Sequence, residues 1–165
     1  PEGDIEAALP LFRDHFGSIM LEDVQLLPGA RWILTRLREN GYRCAVFTNK
    51  FADHSEATLA HLGVRPLLDA VIGTGGSPFR KPDPEFTQAA LEQLQATPDA
   101  TVLVGDSPYD YAAARTHQLR CYLVTTGSHD SAQLEAETRA DGIFPDLYAL
   151  GTAVFGLERD SLTQR

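Results

Sequence analysis

The stretch TVLVGDSPYD, residues 101–110, is where an apolar run meets a carboxylate and a proline. Val102, Leu103 and Val104 are apolar without alternation, the pattern of a strand covered on both faces, as in parallel sheets. Gly105 and Asp106 end the run. Pro108 suits the first turn of a helix that extends to about His117. Asp110 lies four residues after Asp106, so one helical turn brings it back toward Asp106. Two carboxylates at one strand mouth suit Mg2+, which takes oxygen ligands, keeps several waters and shares phosphate oxygens with a substrate. The same residues also suit a turn followed by an acidic helix start.

Outward from this stretch the pattern repeats. RCAVFT (43–48), AVIG (70–73) and CYLVT (121–125) read as further strands. Helices fall between them. Ala30, Ile33, Leu34 and Leu37 keep an i, i+3, i+4, i+7 spacing that ends at Asn40-Gly41. A second helix spans about 53–62 and stops at Gly63. A third starts at Asp83-Pro84-Glu85 and carries Phe86, Ala90 and Leu94 on one face. A fifth follows Asp130, with Gln133 as its capping-box partner. Strands alternating with helices of this length predict an α/β fold with a Rossmann-like parallel sheet and helices on both faces. Residues 1–27 differ: Ile5, Leu9, Phe12, Phe16 and Ile19 keep a helical period interrupted by Pro10.

Two more segments carry chemistry. In Val46-Phe47-Thr48-Asn49-Lys50 a strand ends in a hydroxyl and an amide before a helix. Ligands of α/β sheets bind at such carboxyl ends, where helix N-termini attract anions. Thr48 and Asn49 are therefore candidate phosphate-binding residues, although both also favour plain turns. In Arg80-Lys81-Pro82-Asp83-Pro84 two prolines stiffen a loop that holds Lys81, a compact charge suited to a phosphoryl group. An exposed Lys beside a helix start is the plainer alternative. Of the 14 basic residues only Lys50 and Lys81 are Lys, and both stand in these segments.

Composition bounds the rest. The 165 residues hold 23 Asp and Glu against 14 Lys and Arg, a formal charge of −9, which argues against general nucleic-acid binding. No apolar run approaches the roughly 20 residues of a membrane span. Cys44 and Cys121 sit in apolar runs without a CxxC pattern and read as reduced, buried thiols of a cytoplasmic protein. The chain opens at Pro1 without an initiator Met, which predicts a native start upstream.

A strand-end hydroxyl, then a fixed Lys, then a paired-Asp turn at the next strand end: this order resembles the haloacid dehalogenase superfamily, with the tract TGSHDSAQLEAETRADGIFPDLYAL similar to the tail of its phosphoglycolate-phosphatase-like branch. The resemblance covers about residues 20–150. It implies a Mg2+-dependent phosphomonoester hydrolase acting on a small phosphorylated metabolite through an aspartyl-phosphate. It implies Thr48 and Asn49 as phosphoryl orienters, Lys81 as the charge that neutralises nucleophile and transition state, and Asp106 and Asp110 as metal residues, with Lys81 and Thr48 forming the catalytic pair. It implies a core over 28–158, a remnant of a helical cap over 1–27 and a tail over 159–165.

One family feature has no counterpart here. The nucleophile motif, Asp-x-Asp-Gly-Thr after an apolar strand, does not occur; Asp4-Ile5-Glu6 has neither the strand nor the Gly-Thr. In the family that first, central strand lies between those read here at 43–48 and 101–105. Without it, either the two flanking strands close on each other, or another segment fills the slot, or the chain is a piece of a longer protein, the reading favoured here. Buried backbone groups left unpaired there would cost about 1–3 kcal/mol each. These 165 residues alone are therefore expected to be inactive. A non-catalytic phosphate-binding relative or scaffold domain, and a phosphosugar mutase on the same fold, share the motifs that are present.

Overall fold

The structure is a computed structural model that describes residues 21–159. The expected cap remnant lies almost wholly outside the described residues, as does nearly all of the expected tail. The core runs in the order α1 (Ala30–Glu39), β1 (Ala45–Phe51), α2 (Ala52–His61), β2 (Ala70–Thr74), α3 (Pro84–Leu94), β3 (Val102–Gly105), α4 (Pro108–Thr116), β4 (Arg120–Val124), α5 (Ser131–Glu137), β5 (Gly142–Phe144) and α6 (Leu147–Phe155). All strand pairs are parallel.

Strand β4 shows why its run is apolar at nearly every position. Cys121 and Leu123 enter one cluster with Leu91 of α3, Ala113 and Ala114 of α4 and Leu134 of α5. Val124, with Tyr122 packed alongside, enters another with Ile33 of α1 and Leu150 of α6. Alternate side chains thus serve opposite faces, and helices cover both. Asp130 and Gln133 form the capping box read from the sequence, each side chain bonding the other's backbone N–H at 2.9 Å. Helix α6 is not among the helices read from the sequence. Its start is marked by Asp146, whose Oδ1 accepts from Ala149 N at 2.7 Å.

The strands form two ladders, β1-β2 and β3-β4-β5, and none joins β1 to β3 among the described residues. The division falls where the sequence predicts the missing strand. Val104 on β3 is 38% exposed, high for a valine inside an α/β core. The two halves still share packing: the Phe47 ring of β1 lies 4.8 Å from that of Phe86, and Phe47 also touches the cluster beneath β3 and β4.

The end of β1 is irregular. Phe47 pairs with Ile72 and Phe51 with Thr74, so four steps on β1 match two on β2. Such a bulge re-aims side chains, and Thr48, Asn49 and Lys50 sit inside it. Gly73 of β2 makes room, because a Cβ there would press on Lys50 O and the Ala52 backbone. The strand therefore runs three residues beyond the reading of 43–48.

Candidate active site

Three segments meet at the carboxyl ends of β1 and β3. Asn49, exposed in the bulge, accepts from Lys81 N through Oδ1 at 2.7 Å and donates from Nδ2 to Lys81 O at 3.0 Å. Thr48 Oγ1 accepts from Lys50 N at 3.1 Å, which leaves its own O–H available. The loop bearing Lys81 is closed on itself: Arg80 N donates to Asp83 Oδ2 at 3.0 Å, and Asp83 N donates to Arg80 O at 2.7 Å. Asp83 is the N-cap residue of α3 as expected, yet its carboxylate serves the preceding loop and makes no helix-cap bond. The Lys81–Pro82 peptide bond is cis.

Lys81 reaches back under the strand ends. Its Nζ donates to Phe47 O at 3.0 Å and to Asp110 Oδ1 at 2.6 Å. The two charged side chains are 11% and 7% exposed, so the pair is nearly dry. The other oxygen of Asp110 is fully engaged. Its Oδ2 accepts from Ser107 Oγ at 2.6 Å and from the N–H groups of Asp106 and Ser107, each at 3.2 Å. Ser107 and Asp110 form a capping box at the start of α4. Gly105 permits this fold-back, since a Cβ there would overlap the Asp110 side chain. Asp106 differs. Its carboxylate lies over Gly127 in the loop after β4 and has no hydrogen-bond or ion-pair partner among the described residues. Beside these groups lies a cleft of about 360 Å³, lined by Asn49, Arg80, Lys81, Pro82, Asp83 and the 62%-exposed Tyr109.

Cys121, 1% exposed, lies behind the pair. Burial, then the nearby charges of Asp110 and Asp141, push its thiol up from 9.0 to about 12, with Lys81 opposing. The folded chain therefore holds this proton where the unfolded chain releases it. Stability from this source is complete below about pH 9 and is lost as pH rises toward 12. Urea midpoints measured across that range should fall for the native chain and fall less steeply in Cys121→Ala, where the buried Cys44 thiol, also pushed up, remains.

The first 124 residues match the model of the haloacid dehalogenase-like hydrolases. The chain belongs to this family. It is 31% identical over 149 residues to a phosphoglycolate phosphatase of Nitrosospira multiformis, covering 90% of this chain and 65% of that relative. The crystal structure of a predicted phosphatase from Clostridium acetobutylicum superposes with a TM-score of 0.85 at 23% identity, over 95% of this chain and 72% of that one. CbbY from Rhodobacter sphaeroides, crystallised with xylulose-1,5-bisphosphate, gives 0.75 at 26% identity, over 92% and 66%. The chain spans about two-thirds of the length of these proteins.

Within the haloacid dehalogenase frame, the donor set decides where a cation fits. Among the described residues no group of three or more His, Cys, Asp or Glu side chains is placed to hold a metal ion. Mg2+ requires no such cluster, because it binds through one or two carboxylates with waters and substrate phosphate completing its shell. The carboxylate of Asp106, without a hydrogen-bond or ion-pair partner among the described residues, fits such a ligand. Asp110 fits less well as a direct ligand, with Oδ1 on Lys81 and three donors on Oδ2. Reading the sequence missed Gly127 and Ser107. Ser107 had a visible signal, the Ser-x-x-Asp spacing of a capping box; Gly127, 21 residues from Asp106, had none.

Proposed function

We propose that this chain is the larger part of a Mg2+-dependent phosphomonoester hydrolase of the phosphoglycolate-phosphatase type. The observation that carries the reading is a nearly dry Lys81 ammonium held at a strand mouth by Phe47 O and Asp110, with the carboxylate of Asp106, four residues before Asp110 at the end of β3, making no hydrogen bond or ion pair among the described residues. Residues 28–158 are its core.

Lys81 spends two of its three N–H groups on Phe47 O and Asp110 and keeps one for a phosphoryl oxygen. Thr48 donates its O–H to a second oxygen, with the backbone N–H of Asn49 beside it. Asp106 would hold Mg2+, and Asp110 holds Lys81 and the turn on which Asp106 stands. When bound, the cation screens the phosphoryl charge and orients its oxygens. These parts supply electrostatic positioning of a phosphoryl transfer. The resemblance implies an aspartate nucleophile and an aspartyl-phosphate, and that aspartate is not among these 165 residues. The substrate is a small phosphorylated metabolite, and the reduced thiols suit the cytoplasm.

The test has two arms. The 165-residue chain should turn over p-nitrophenyl phosphate at no more than a trace rate, with or without Mg2+. The same chain preceded by a strand carrying the Asp-x-Asp-Gly-Thr motif should hydrolyse it briskly, and EDTA should stop it. Brisk turnover by the chain alone would refute the account of the nucleophile. Phosphate binding without turnover in the second arm would favour the non-catalytic relative.

A further inference from the structure

We propose that the Asn49 side chain is a positioning residue for Lys81 and not a phosphate ligand. The proposal rests on the reading of Lys81 given above and assigns Asn49 a different task from the one its motif suggests. A carboxamide carries one acceptor oxygen and two N–H donors. Here the oxygen takes Lys81 N and one N–H takes Lys81 O, so both backbone groups of a single residue are clamped by one side chain.

The clamp joins β1 to a loop 32 residues away. On its other side the same loop is closed by the two Arg80–Asp83 bonds. Held from both directions, the Lys81 backbone has little freedom, and its side chain delivers Nζ to Phe47 O and Asp110 Oδ1. The bulge of β1 gives Asn49 its aim. Residue chemistry is restrictive at this position. Asp offers no donor to Lys81 O, and Ala removes both bonds. The clamp uses only the side chain of Asn49 and leaves its backbone N–H out.

The experiment uses a feature of the composition. The chain has two lysines, Lys50 exposed and Lys81 11% exposed, so amine acetylation followed by peptide mass analysis reads each separately. With acetic anhydride at pH 8, Lys50 should label quickly and Lys81 slowly. Asn49→Ala and Asn49→Asp should each raise the Lys81 rate by about tenfold or more, in keeping with the loss of neutral hydrogen bonds. The buried thiols of Cys44 and Cys121 report global unfolding in the same samples. Faster Lys81 labelling with both thiols still protected supports the proposal. An unchanged Lys81 rate in both variants overturns it, and so does thiol exposure in step with Lys81 in both, which would make Asn49 a general stability residue. No phosphate or metal enters the measurement, so this proposal and the phosphatase reading fail independently.

Discussion

Asp110→Ala is expected to lower the unfolding free energy by about 3–5 kcal/mol, the range for removing one partner of a buried ion pair. The size follows from what remains. The Lys81 ammonium, 11% exposed, keeps Phe47 O as its described partner and loses its counter-charge. Ser107 Oγ and the N–H groups of Asp106 and Ser107 lose their shared acceptor. The first turn of α4 loses its capping box, itself worth about 0.5–2 kcal/mol. Against a total stability of about 5–15 kcal/mol for a domain, this is a large fraction. Lys81→Met should cost less, because Asp110 then retains its three donors on Oδ2. Urea unfolding of both variants at pH 7 provides the comparison. A loss below about 1 kcal/mol for Asp110→Ala would show that water already reaches the pair and that the dry site is not dry.

How far this arrangement can be read in advance depends on the range of the interaction. The unbroken apolar run of β4 and the Asp130–Gln133 box involve neighbours in sequence, and both are legible. So are the α/β alternation and the place of the missing strand, between β1 and β3. The extension of β1 through Phe51 is not, because it depends on a Gly73 that lies across the ladder. Asp110 is readable as a carboxylate one turn after Asp106. Its orientation is not readable, since that depends on Lys81, 29 residues away. Asn49 is the sharpest case. Its residue type fits a turn, a cap or a phosphate site equally well, and only the fold brings it against the Lys81 backbone. Two-point clamps between distant loops leave no periodicity to detect.

Lys81→Ala should leave a folded protein with almost no chemistry. In the catalytically complete form its kcat should fall at least about 10²-fold, the usual consequence of removing one electrostatic stabiliser aimed at transition-state charge. A unit charge about 4 Å from the phosphoryl group, at an effective dielectric near 20, contributes roughly 4 kcal/mol, so a loss nearer 10³ is within reach. Lys81→Arg should not restore the rate. The pocket between Phe47 O and Asp110 Oδ1 receives a compact ammonium, and a planar guanidinium presents its donors in a wider fork. On the proposed role, the effect should appear in kcat more than in KM, because the charge that Lys81 would offset grows as the phosphoryl group transfers. Stability measured on the same samples separates this from Asp110→Ala: one variant removes the working charge and the other removes its support. If Lys81→Ala keeps near-normal turnover while remaining folded, the ammonium is a structural tie between two half-sheets, and the phosphoryl site must be sought elsewhere along the strand ends.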